Sequence, residues 1–175
     1  MSVQQILDSL PEYASDISFN LGNILLEDSS VGLSKKQIYG IVLSCVYSIR
    51  NEKLIAAVLG DVEQVLNQDE IYAAKASATI MAMNNTYYRA IHFIGDEDIL
   101  KKQSGMKMQV MQDHKISKID FELYSLAVSA INGCEYCVSL HTKKLLNGGV
   151  TKEGIQSTIR IASVINATAQ ALMIN

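Results

Sequence analysis

Apolar positions recur at three- and four-residue intervals along nearly all of this chain, and few stretches alternate apolar with polar in the two-residue rhythm of a strand. Ala, Leu, Ile, Met and Lys, all compatible with helix, are abundant. The pattern predicts an all-α fold. Pro11 suits the first turn of a helix running to about Leu26, and Ser34-Lys35-Lys36-Gln37 has the form of a capping box opening the next. Arg50-Asn51 breaks that helix. Further helices are expected from Glu52 to Leu66, from Asp69 to about Ala90 and, briefly, from Glu97 to Lys102, with residues 103–117 irregular. The stretch from Asp120 to Ile131 then reads as helix, Asn132-Gly133 interrupts it, and another helix runs from Cys134 to a stop at Gly148-Gly149. Thr151 caps the last helix. Its stripe Ile155, Ile159, Ala162, Ile165, Ala169, Leu172 has Ala and Val on other faces as well, which predicts a helix wedged between neighbours or at a subunit contact.

A faint internal repeat underlies this order. Laying Gln37 to Val46 over Glu122 to Ile131 matches Ile38 with Leu123, Tyr39 with Tyr124, Ile41 with Leu126 and Ser44 with Ser129. Each stretch precedes a break, a helix and a further long helix. The reading is a single helical domain over 1–175, with a degenerate first half over about 20–92 and a second half over about 117–175. Continuing the register sets Ile49, Glu52 and Ala56 opposite Cys134, Cys137 and His141, so the chemistry falls in the second half.

Composition narrows the function. With 49% hydrophobic residues and one proline in 175, the chain can bury a core. A formal charge of −3 with scattered Lys and Arg gives no nucleic-acid footprint. No apolar run reaches the roughly eighteen residues that span a bilayer and no signal segment opens the chain, so the cytoplasm is the expected location. Three cysteines cannot build a disulfide framework, and in a reducing compartment Cys-x-x-Cys points to catalysis or metal. Cys45, inside Ile41-Val42-Leu43-Ser44-Cys45-Val46, reads as a small buried hydrophobe.

The segment from Asn132 to His141 carries the chemistry. On a helix, Cys134 and Cys137 lie about 60° apart and one turn along, and His141 follows Cys137 by one further turn. An ordinary thiol is mostly protonated at neutral pH, whereas attack on a peroxide or disulfide needs the thiolate. Here Asn132-Gly133 places the pair in a first helical turn, where free N–H groups favour an anion, and His141 can take a thiol proton or stabilise the charge. His141 is nearer Cys137, which is therefore expected to attack; its sulfenic acid would condense with Cys134 into a disulfide. Glu122, set among apolar residues, is the candidate to orient the imidazole, unless it is simply an exposed glutamate near a helix start. By ligand type the same four groups also suit zinc, and two core cysteines three apart by accident remain an alternative. His92 and His114 lack such company and read as surface or loop residues.

The run Phe121-Glu122-Leu123 through Ala127-Val128-Ser129-Ala130-Ile131-Asn132-Gly133-Cys134, then Cys137 and His141, resembles the alkyl hydroperoxidase D family of the carboxymuconolactone decarboxylase-like superfamily. Met83-Asn84-Asn85 with Tyr88-Arg89 resembles a second segment of it, and the likeness extends from about residue 20 to the C-terminus. The resemblance implies an all-helical fold of two related halves, usually a homotrimer, that reduces organic hydroperoxides through its dithiol. It implies that Cys137 becomes the sulfenic acid, Cys134 donates a proton, and Glu122 and His141 relay protons. No tightly bound cofactor is implied; electrons would come from a dihydrolipoyl group on a lipoyl-bearing acyltransferase, regenerated by dihydrolipoamide dehydrogenase with NADH. A related role passes electrons to a peroxiredoxin, alkyl hydroperoxide reductase C. Lactone decarboxylation would leave the thiols without a task. Typical members carry a histidine just before the second cysteine, where this chain has Tyr136. A tyrosine cannot become a cation near pH 7, and Glu135 adds a negative charge beside the thiols.

Overall fold

The computed structural model describes residues 2–174. Among them all regular elements are helical: α1 (Val3–Ser9), α2 (Ser15–Ile24), α3 (Lys35–Ile49), α4 (Glu52–Val62), α5 (Gln68–Ile94), α6 (Glu97–Leu100), α7 (Lys118–Ile131), α8 (Glu135–Asn147) and α9 (Lys152–Met173). Short 3₁₀ turns lie at Glu12–Ala14 and Gln109–Met111. The all-α expectation holds, and the caps explain most boundaries. The Ser34 hydroxyl accepts from the Gln37 N–H while the Gln37 side chain accepts from the Ser34 N–H, so both orphan donors of the first turn of α3 are satisfied. Arg50 ends α3 in the left-handed region at φ 66°, and Asn51 at once caps α4. Thr151 caps α9 as expected.

The N-terminal boundaries differ from expectation. One helix from Pro11 to Leu26 is in fact a 3₁₀ turn followed by α2, and α1 precedes it, opened by a capping box of Ser2 and Gln5. Pro11 disfavours helical backbone at Leu10, which is extended, so the chain must turn there before it can coil again. α4 ends four residues before Leu66, whereas α5 runs past Ala90 to Ile94 and stops at Gly95, φ 67°.

α3 and α7 lie at the centre. α3 packs against α5, α7 and α9, while α7 also meets α5, α8 and α9. Phe121 to Ser129 of α7 are buried without interruption, so this helix has almost no solvent face and anything polar on it must find a partner inside the protein. Gly40 lets α3 approach α7 closely: a Cβ there would overlap the Tyr124 ring. α9 packs against α2, α3, α7 and α8, with Ile161 and Ile165 fully buried, which explains its nearly all-round apolar character. No described helix is long and apolar enough to cross a membrane.

Candidate active site

The turn between α7 and α8 fixes the thiols. Gly133 takes φ 66°, the Gly133 N–H donates to the Ala130 carbonyl at 3.1 Å, and the Cys134 N–H donates to the Ser129 carbonyl at 3.2 Å. These two bonds form a Schellman motif, which closes α7 and satisfies its last carbonyls. Cys134 is at the same time the N-cap of α8, its Sγ accepting from the Cys137 N–H at 3.3 Å, so α8 begins one residue later than expected. The capping sulfur and the N3 sulfur are then one turn apart, and Cys134 and Cys137 form a disulfide with a Cα–Cα distance of 5.3 Å.

α5 clamps this turn from behind. Asn85 donates to the Ser129 hydroxyl at 2.9 Å and accepts from the Asn132 side-chain amide at 3.0 Å, while Arg89 donates to the Asn132 carbonyl. Sequence reasoning attached no role to these residues. Their signal was present, since Asn85 and Arg89 are one helical turn apart in the segment that resembles the family's second motif.

Glu122 of α7 is buried, which excludes the exposed-glutamate reading. Its Oε2 lies 2.5 Å from His141 Nδ1, and its Oε1 accepts from the Lys144 ammonium at 2.8 Å. His141 and Lys144 are one turn apart on α8, so one face of that helix supplies both partners. Burial alone would raise the Glu122 carboxyl, but the hydrogen bonds and charges of His141 and Lys144 outweigh it and hold the group below the usual glutamate range. An ionised Glu122 accepts, so in a neutral His141 ring the proton is the one on Nδ1 and Nε2 is the free acceptor. Lys144 was missed by sequence reasoning because a lysine near a helix C-terminus already has a reason to be there.

A cavity of about 140 Å³ opens beside the disulfide, lined by Cys137 and His141 together with Met81, Asn84, Met111 and Leu140, and rimmed by Tyr88 and Tyr136. Cys137 is 4% exposed and Cys134 fully sealed. Spacing made the two thiols unequal, and burial makes them unequal in the same sense. Tyr136 is partly exposed and stacks on His92 of α5, ring centroids 4.1 Å apart, so His92 has closer company than expected. His114 is buried and stacked on Phe121 at 4.6 Å: a loop residue, but not a surface one. Cys45 is sealed in α3, and burial pushes its thiol well up, in keeping with a core residue. Among the described residues no group of three Cys, His, Asp or Glu side chains is placed to hold a metal ion.

The carboxymuconolactone decarboxylase family model matches residues 97–173, the part of the chain that contains the disulfide, Glu122 and His141. An alkyl hydroperoxide reductase AhpD of Coxiella burnetii (strain Dugway 5J108-111) is 43% identical over 172 residues, covering 98% of this chain and 97% of the relative. The AhpD of Rhodospirillum centenum is 38% identical over 98% of this chain and 91% of its own length, and that of Corynebacterium aurimucosum 39% over 98% and 95%. Near-complete coverage at these identities carries the assignment from a shared site to the whole chain, which belongs to the alkyl hydroperoxide reductase AhpD family.

Proposed function

We propose that this protein is a peroxide-reducing, antioxidant oxidoreductase that reduces organic hydroperoxides through Cys137 and Cys134. The observation that carries the reading is the placement of Cys137 and His141 on one cavity, with a buried carboxylate behind the imidazole and Cys134 already bonded to Cys137. In the reduced protein, His141 Nε2 takes the Cys137 proton, and the N-terminus of α8 favours the resulting thiolate. The thiolate attacks the terminal oxygen of ROOH: the S–O bond forms, the O–O bond breaks, and RO⁻ leaves. The alkoxide takes a proton from the Cys134 thiol. Cys134, now a thiolate, attacks the Cys137 sulfenic acid, forming the S–S bond and expelling hydroxide, which takes the proton held on His141 and leaves as water. Sulfur is oxidised by two electrons and the peroxide reduced by two.

The disulfide must then be re-reduced by thiol exchange. A protein-bound dihydrolipoyl group suits the site, because a dithiol on a long, slender arm can reach a nearly buried sulfur that a bulky protein surface cannot. Dihydrolipoamide dehydrogenase and NADH would close the cycle, and a homotrimer is the proposed assembly, checked by sedimentation at three times 19.2 kDa. A second reading, transfer of electrons to the peroxiredoxin alkyl hydroperoxide reductase C, is favoured by Tyr136, an exposed ring that adds no cation beside the thiols. The test is peroxide-dependent NADH oxidation with dihydrolipoamide dehydrogenase and a lipoyl domain, with and without the peroxiredoxin. Turnover without it supports direct reduction; turnover only with it supports the adaptor; none in either arm defeats both.

A further inference from the structure

The helix end accounts for a lysine near the C-terminus of α8, but not for where the Lys144 side chain goes. A cation there offsets the helix dipole whichever way it points. Lys143, one residue earlier, is exposed and has no ion-pair partner among the described residues. Lys144 reaches inward instead. Its ammonium donates to Glu122 Oε1 at 2.8 Å with 36% of its side chain exposed, whereas the side chains of Glu122 and His141 are 7% and 4% exposed. A row of groups thus runs from the cavity, where Cys137 and His141 lie, through Glu122 to Lys144 at the solvent edge. The two oxygens of the carboxylate have separate partners, Oε2 the His141 ring and Oε1 the Lys144 ammonium. Helices α3, α5 and α9, which also pack on α7, supply no further ion-pair partner for Glu122 among the described residues. On the cavity side the titratable groups beside His141 are Cys137, Tyr88 and Tyr136.

Resting on the relay read above, we propose that Lys144 is a positioning residue that limits how tightly the Glu122–His141 pair holds the proton taken from Cys137. The cycle asks His141 to accept a proton and then give it back, and a base serves both steps only if its hold is moderate. A buried carboxylate facing one imidazole would bind the imidazolium tightly, because little solvent screens the attraction. Lys144 divides that negative charge. By occupying Oε1 it also leaves Oε2 as the one oxygen for Nδ1, so the ring keeps Nε2 turned to its task. Glu122 and His141 titrate as a pair, and the nearby cation disfavours the pair's second proton, the one that would sit on Nε2. The consequence for the thiol runs against simple electrostatics. Removing a cation ordinarily makes a neighbouring thiol harder to ionise. Lys144, however, is seven residues and about 10 Å along the axis from Cys137, yet in contact with Glu122. Its loss should strengthen the base more than it weakens the thiolate.

Two measurements on Lys144→Met test this. In the disulfide form, where the thiols do not titrate, nitrogen-15 resonances of His141, assigned by their loss in His141→Gln, report when Nε2 gains its proton. That event should move to higher pH in Lys144→Met, stay in place in Lys143→Met, and return in Lys144→Arg, which keeps the charge and the donors. In the reduced form, alkylation of Cys137 by iodoacetamide at neutral pH should be about threefold faster in Lys144→Met, the worth of one partly screened ion pair, and unaltered in Lys143→Met. If Lys144→Met does not fold, Lys144→Gln, which also lacks the charge, takes its place with the same directions expected. An Nε2 titration that stays put or moves equally in Lys143→Met would overturn the assignment, as would an alkylation rate no higher than that of the unaltered protein. Reaction of the reduced, unaltered protein with tert-butyl hydroperoxide is followed alongside. Failure of Cys137 to react there defeats the peroxidase reading, while the nitrogen titration still decides the place of Lys144.

Discussion

Burial sorts the three cysteines into three chemical positions. Cys45 is sealed in α3 with its thiol pushed up, Cys134 is sealed but bonded to Cys137, and Cys137 alone lines a cavity. Brief iodoacetamide treatment of the reduced native protein should therefore label Cys137 first and leave Cys45 untouched until the protein is unfolded, as peptide mass spectrometry would show. Cys137→Ser should abolish peroxide consumption, whereas Cys134→Ser should leave a Cys137 sulfenic acid that dimedone traps; peroxide turnover by a protein lacking both thiols would end the proposal. Glu122 makes a separate claim about pH. Its folded-state carboxyl titrates below the ordinary value of 4.5, so the stability it contributes is complete above that value and is lost as pH falls through the lowered one. The melting temperatures of the unaltered protein and Glu122→Gln, which lacks that contribution, should accordingly converge as pH drops below 4.5. A gap that widens in acid would contradict the sign of the shift.

At the scale of helices, the close approach of α3 and α7 depends on one missing side chain. Gly40→Ala sets a Cβ into the buried Tyr124 ring, which neighbouring helices prevent from moving aside, and should cost about 1–3 kcal/mol or more by urea unfolding. Nothing in the sequence pattern marks Gly40 as special, because an isolated glycine in a helical run looks only like a weak helix former. Signals that depend on near neighbours were legible: the capping box at Ser34, the break at Arg50-Asn51, the Asn132-Gly133 turn and the Gly148-Gly149 stop all rest on a few adjacent residues. The Cys134, Cys137 and His141 stripe was legible for the same reason, since helical spacing alone brings its members together. Tertiary choices were not. The Asn85 and Arg89 clamp, the Lys144 contact to Glu122 and the burial of His114 against Phe121 each join residues from different elements or from a loop and a helix, or use a residue that already had a local reason to be present. α1 was not legible either: although Ser2 and Gln5 form a capping box, seven residues are too few for a helical period to stand out beside Pro11, the stronger local breaker.

Taken as a whole, the molecule is built so that its redox site can open and close without loosening the rest. One apolar cluster runs from Val3 in α1 to Ala169 in α9, and neither cysteine of the disulfide belongs to it. The turn that carries them is held by hydrogen bonds from α5 and by the Schellman bonds of α7, none of which uses the S–S bond. The N-cap bond from Cys137 N–H to Cys134 Sγ also persists in kind after reduction, since a thiol sulfur, like a disulfide sulfur, is a weak acceptor. What reduction removes is the cross-link itself, and a loop closed over a separation of three residues restricts the unfolded chain little: about 2 kcal/mol on the chain-entropy relation. For a chain of this length that corresponds to a melting temperature about 4–8 °C lower in excess dithiothreitol, with the helical circular dichroism at 25 °C unchanged. Such a small difference suits the proposed cycle, which passes through both redox states at every turnover. Loss of helix on reduction would place the disulfide among the structural supports of the fold, and the cycle through the dithiol could not then be its function.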